Sequence, residues 1–140
     1  KFIKKGEALV EVTIFKIDVY IISLYQGENT SLIELLYKLD VSKNLSIKGW
    51  EEGFKSLSKT EKNDKNYLKA INWIFKNTVD LKQGDVFSIL INNKNNMVEF
   101  LKNNQPVSKI KNKYVSYLAH FPWIGDRPLD EEIKRKLLGN

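Results

Sequence analysis

The chain contains no cysteine. Disulfide frameworks, thiolate nucleophiles and cysteine-ligated metals are thereby excluded. There is one histidine, His120. A transition-metal centre needs several convergent nitrogen or sulfur ligands, so no metal site is expected. His120 adjoins Phe121 near the end of a predicted helix and reads as a structural or surface residue. Arginine is scarce too. Only Arg127 and Arg135 occur, and lysines spread along the chain carry the net charge of +6. A nucleic-acid face wants clustered Arg and Lys interleaved with aromatics, so no nucleic-acid partner is expected. A dispersed lysine excess does allow weak attraction to anionic lipid surfaces. No apolar run approaches the ~18 residues of a membrane-spanning helix, so no transmembrane segment is expected. The sequence has no Walker loop, dinucleotide fingerprint or nucleophile elbow, and no cofactor is expected.

What is present fits one globular domain over residues 1–140, with 42% apolar residues to build a core. Residues 7–16 alternate. Ala8, Val10, Val12 and Ile14 fall on one face and Leu9, Glu11, Thr13 and Phe15 on the other, which predicts a strand. Residues 17–26 and 31–40 read as two more strands, with a turn at Gly27-Glu28-Asn29. The third puts Ile33, Leu35, Tyr37 and Leu39 on one face.

The period then changes to that of a helix. Ser42 is a candidate cap, followed by Ile47, Trp50, Phe54 and Leu57. The polar stretch 58–66 reads as a loop, and 67–78 as a helix with a Leu68, Ile71, Phe75 stripe beside Tyr67 and Ile74. Gly84-Asp85 precedes a strand to Ile91, a hairpin at 92–96 and a strand from Met97 to Leu101. Asn103-Asn104 turns into a short strand at 106–110, whose proline suits a sheet edge. Tyr114, Tyr117, Leu118 and Phe121 share a helix face. A last helix follows Pro128, acidic at its start, basic at its end and closed by Gly139. Strands, helices, strands, helices is the order of an α+β domain with an antiparallel sheet.

Few residues suggest chemistry. Asp85 reads as a turn residue that binds nearby amides. Asp126 and Arg127 read as a local pair. Glu51 and Glu52 point about 100° apart on a helix and make no dyad. The aromatic set is more informative. Tyr20, Tyr25 and Tyr37 lie on predicted strands, and Trp50 and Phe54 on the helix that would cover them.

Four segments carry a family resemblance. They are Val19-Tyr20 with Leu24-Tyr25, Ile33 to Ser42, Gly84-Asp85, and the closing run Trp123-Ile124-Gly125-Asp126, Pro128, Leu137-Leu138-Gly139. In this order and spacing, over roughly residues 6–139, they resemble the bacterial chalcone isomerase-like family, on its non-catalytic branch. The resemblance implies a curved antiparallel sheet with helices on one face, an open-faced sandwich, and a ligand cleft between the two layers. It also implies a periplasmic or exported protein, since family members are commonly exported with a cleaved leader.

The resemblance does not carry the isomerase machinery across. Those enzymes use an early-strand Arg, and the first arginine here is Arg127. Of their Tyr-x-x-Lys-x-x-x-Asn pattern only Lys48 matches, with Leu45 and Glu52 in place of the Tyr and Asn. A lysine does not replace a guanidinium that forks onto an anion. The non-enzymatic branch binds fatty acids, also through an early-strand Arg. The reading is therefore a non-enzymatic binder of a fatty acid or similar amphipathic small molecule. Tyr20, Tyr37, Trp50 and Phe54 would line its cleft, with Lys48 as a head-group contact. Two other classes fit the same residues. One is a divergent isomerase- or lyase-type enzyme using Lys48. The other is a partner-binding structural protein with a collapsed pocket, which requires a cleft filled by side chains and an exposed apolar patch elsewhere.

Overall fold

A computed structural model describes residues 2–12 and 17–140. Its six strands are β1 (Ile3–Val12), β2 (Ile17–Gly27), β3 (Thr30–Tyr37), β4 (Val86–Asn92), β5 (Met97–Lys102) and β6 (Gln105–Lys111). They form one antiparallel sheet in chain order. The helices are α1 (Lys43–Gly53), α2 (Lys59–Asn63), α3 (Lys65–Lys76), α4 (Lys113–Ile124) and α5 (Glu131–Leu137). Each pair of sequential strands is adjacent; tight turns join β2 to β3, β4 to β5 and β5 to β6, whereas the connection from β3 to β4 carries α1, α2 and α3. Asn103 and Asn104 both take positive φ (51° and 66°), as a two-residue primed hairpin turn demands. The α+β class and the antiparallel sheet follow the sequence expectation.

The period-2 pattern selects one face for the core. Ile22, Leu24, Ile33, Leu35, Phe87, Ile89, Ile91, Val98 and Phe100 are all buried there. Helix α4 covers this face. It packs on β4, β5 and β6 and also touches α1, α3 and α5. Four of its side chains, Val115, Leu118, Ala119 and Phe121, are wholly buried. Helix α1 meets α4 at Gly53, where a Cβ would lie 2.5 Å from the Pro122 ring. Helix α5 lies on β1. A Cβ on Gly6 would stand 1.9 Å from the Lys136 carbonyl oxygen, so only glycine permits this approach.

Several boundaries differ from expectation. The first strand begins at Ile3, four residues early, while residues 13–16 of its predicted span lie outside the described ones. The third strand ends at Tyr37 rather than at residue 40. The stretch 58–66 is no loop. Ser58 accepts from the Glu61 amide while Glu61 accepts from the Ser58 amide, a capping box that nucleates α2. Asp64 then caps α3. On α3 the buried residues are Ala70 and Ile74, whereas Leu68 is exposed and Ile71 and Phe75 are half-buried. The buried side of α3 is centred on Ala70 and Ile74, so the Leu68, Ile71, Phe75 stripe lies beside it and is only partly covered. On α4, Tyr114 and Tyr117 are half-buried against Tyr67, with ring centroids 5.6 and 6.4 Å away.

Arg127 ties the closing segment to α2. Its guanidinium forks onto Glu61 with two 3.0 Å bonds, and Asp126 lies 3.5 Å from its Nε. The expected Asp126 pair therefore exists, but the bidentate partner is Glu61, 66 residues away. Arg127, with help from the Ser58 amide, holds the Glu61 carboxyl down to about 2.

Two predictions follow from these contacts. Gly6→Ala should lower stability by about 2–3 kcal/mol in urea titration, because β1 and α5 must separate. Gly49→Ala, in α1 with open space at its Cβ, should instead raise stability by about 0.5–1 kcal/mol; equal effects would refute the close approach. For Glu61, the carboxyl is more acidic folded than unfolded, so its contribution is present above its ordinary value near 4.5. It is lost as pH falls from there through about 2. The urea midpoint should drop across this window, and Glu61→Gln should flatten the drop.

Candidate ligand-binding site

Tyr20 and Tyr37 are directly opposite each other on β2 and β3. Both share the helix-facing side with Ile22 and Leu35, and their ring centroids are 5.3 Å apart. The Tyr20 hydroxyl accepts a 2.9 Å hydrogen bond from the Trp123 indole N–H of α4. Among the described residues nothing accepts the Tyr20 proton in turn. Burial pushes the Tyr20 phenol up to about 12, and pushes Tyr37 up further still. Ser46 of α1 lies near the Tyr37 hydroxyl and partly offsets that rise. Its Oγ is buried, yet closes no hydrogen bond. A buried hydroxyl without a partner is costly, so this small polar island has spare hydrogen-bonding capacity.

Around the island stand aromatic rings. Trp50 meets Trp123 edge-on at 5.3 Å, and stacks with Phe54 at 5.6 Å and with Phe100 at 6.2 Å. Phe100 in turn touches Trp73 at 5.0 Å and Phe87 at 5.1 Å. Four of the five expected site residues are thus joined in one path, Tyr37–Tyr20–Trp123–Trp50–Phe54. The space between sheet and helices is occupied by these rings.

The fifth, Lys48, is not brought there. It is exposed. Two residues before Trp50, it projects about 200° away on the helix, toward solvent. Its expected head-group contact is corrected accordingly. Tyr25 is corrected too. It alternates with buried Leu24, so it lies on the uncovered face, where the Lys4 ammonium stands 6.0 Å from its ring. Trp123 and Ser46 were missed as polar partners. Ser46 was findable, since it precedes Trp50 by four and must share its inward face. Trp123 was noted only as a landmark, although a buried indole N–H always needs an acceptor.

The remaining candidates are structural. Asp85 accepts from the Lys82 amide at 2.8 Å and from Asn103 at 3.0 Å, with Lys102 at 3.7 Å, which lowers its carboxyl. Asp126 accepts from the Tyr117 hydroxyl at 2.8 Å. Glu51 and Glu52 are exposed. His120 is held below its ordinary value by burial, and its Nδ1 has no partner among the described residues. Arg135 pairs with Glu132 on the surface. No group of three metal-ligating side chains, and no helix long and apolar enough to cross a membrane, occurs among the described residues.

Two open spaces adjoin the aromatic cluster. A groove of about 310 Å³ runs between α1 and α3, lined by Glu51, Phe54, Lys55, Leu57, Lys62, Ile71 and Phe75. A smaller one of about 140 Å³ lies behind Trp123, beside Val10, Glu11, Leu129 and Asp130.

No curated protein matches the chain. Among solved structures, a fatty-acid binding protein of Arabidopsis thaliana is similar over 99% of this chain and 87% of its own, with a TM-score of 0.70. The two are 13% identical, so what they share is the fold. The family model described as chalcone isomerase-like matches residues 12–139, and this chain belongs to that family.

Proposed function

We propose that the protein binds a fatty acid or similar amphipathic small molecule without catalysing a reaction. The observation that carries this reading is the hydroxyl island of Tyr20, Tyr37 and Ser46 within an aromatic shell, with the buried Ser46 Oγ left without a partner among the described residues. A ligand oxygen would supply the missing hydrogen-bond partner. The fold it shares with a plant fatty-acid binding protein supports the same reading.

The acyl chain would replace protein contacts around Trp50 and Phe54. That requires α1 to move away from α4 and from Phe100. Among the described residues no lysine or arginine is bonded to the island; Lys48 is exposed and Arg127 is engaged by Glu61. Burying an unpaired carboxylate is too costly, so the neutral acid is the bound form. An exposed Lys48 also has no enclosed substrate to act on, which leaves the enzyme alternative without its base.

Titration of dodecanoic acid, followed by tryptophan fluorescence, tests this. Binding should tighten as pH falls toward the ligand's own pKa. Tyr37→Phe should weaken it about five- to tenfold while leaving the fold intact. A lipid-free native extract together with no uptake of dodecanoate would overturn the reading. The partner-binding alternative would then stand, favoured by the filled cleft. The proposal includes a periplasmic or exported location, by family kinship alone; recovery of the native protein in the cytosolic fraction would contradict it.

A further inference from the structure

His120 is the one histidine of the chain, and neither the core nor the hydroxyl island uses it. At 100° per residue it stands about 40° round α4 from buried Ser116, at the margin of the covered face. The residue as a whole is half-buried. Its Nδ1 is wholly buried and has no hydrogen-bond partner among the described residues. Helix α5 packs beside it, and the charge that reaches the imidazole is that of Lys134 on α5. Lys134 also ties the two helices together, since its ammonium donates to the Gly125 carbonyl at the end of α4, at 2.8 Å.

No acidic side chain among the described residues offsets a charge at this point. On α5, Glu131, Glu132, Arg135 and Lys136 are exposed. On α4 itself Lys113 lies over the Tyr114 ring, and beyond its end Asp126 is taken by Tyr117 and Arg127 by Glu61. The strands beneath α4 turn Phe87, Ile89, Val98 and Phe100 toward it, while Glu99 alternates onto the uncovered face and Lys102 donates to the Asp80 carbonyl. Lys109 and Lys111 of β6, Glu11 of β1, Lys48, Glu51 and Glu52 of α1, and Lys65, Lys69 and Lys76 of α3 are all exposed. Lys43, at the far end of α1, is bonded to the Lys76 carbonyl.

Protonation puts an N–H on both imidazole nitrogens. The Nδ1–H would then be a buried donor without an acceptor, on a cation that faces a second cation. Helix α5 is built to yield to that strain at one end. Its C-terminal end is pinned, because a Cβ on Gly6 would strike the Lys136 carbonyl and one on Gly139 would come within 2.8 Å of the Lys5 carbonyl. Its N-terminal end borders open space. The cavity of about 140 Å³ behind Trp123 has Asp130 and Ile133 on its α5 side and Val10 and Glu11 on its β1 side.

We propose that His120 is an acid-sensitive latch: on gaining a proton it drives Lys134 and the N-terminal half of α5 away from α4, about a pivot at Gly6, and widens the cavity behind Trp123. Burial, with help from Lys134, makes the imidazole harder to protonate in the closed form. The closed form is therefore fully favoured above the ordinary value of 6.5 and loses that advantage as pH falls below it. Resting on the ligand-binding reading above, the widened cavity beside Tyr20 and Trp123 would speed ligand exchange in acid. The latch itself needs no ligand.

Hydrogen exchange of the whole protein, corrected for the intrinsic effect of pH, tests this at about pH 7.5 and about pH 5. Amides of α5 should lose protection at least tenfold in acid, while those of residues 115–121 keep theirs. His120→Gln, neutral at both pH values, should abolish the difference. Proton NMR of the unaltered protein gives a second readout, since a single histidine needs no assignment. Its imidazole should titrate below 6.5, and Lys134→Gln should raise the midpoint. An imidazole that titrates at 6.5 or above would overturn the proposal. So would equal α5 protection at both pH values, the same loss in H120Q, or a loss spread evenly over the chain, which would mean global unfolding. None of these readouts involves dodecanoate, so the latch and the ligand reading fail separately.

Discussion

A buried indole N–H must have an acceptor, and for Trp123 that acceptor is the Tyr20 hydroxyl, 103 residues away. This bond fixes α4 over the early strands rather than merely near them. The remaining site geometry depends on it. Trp123 presents its edge to Trp50, Trp50 stacks on Phe54, and both close the space above Phe100. Tyr20 accepts from Trp123 and, among the described residues, its own O–H remains without an acceptor. Losing the bond would leave a buried donor unsatisfied and loosen the contact between helix layer and sheet.

The strands were legible because a half-buried antiparallel strand repeats every two residues, and Ile33, Leu35 and Tyr37 obey that rule. The hairpins were legible from asparagine, which tolerates positive φ. Helix α2 was not, although its capping box Ser58-Lys59-Thr60-Glu61 stood in the sequence, because five polar residues show no apolar period. The α3 stripe was misjudged for a related reason. Periodicity identifies an apolar arc, and an arc of twice the usual width hides which half is buried. Tyr25 was misplaced because the adjacent Leu24 and Tyr25 are both apolar enough to face a core. Only the register across to Ile33 and Leu32 decides between them.

The shortage of arginine shapes the chemistry of the whole molecule. A guanidinium can be buried with an anion because its fork satisfies both oxygens. Lysine is more strongly hydrated, and the lysines of α1 to α3 are nearly all exposed. Positive charge therefore sits on the outside of the helix layer, while hydroxyls alone serve the inside. A neutral ligand oxygen would meet hydrogen-bonding partners there without the cost of an unpaired buried charge.

Phe54 belongs to both regions. It lines the groove between α1 and α3 and stacks on Trp50 within the cluster. Trp50 and Phe54 sit on the same helix, so an outward movement of α1 would lift both rings together, part Trp50 from Phe100 and Trp123, and open a path from the groove toward Tyr37. A ligand that binds only the opened form would shift the equilibrium toward it by its own differential affinity, as linkage requires. The coupling would run through α1, because that one helix carries both rings that fill the space.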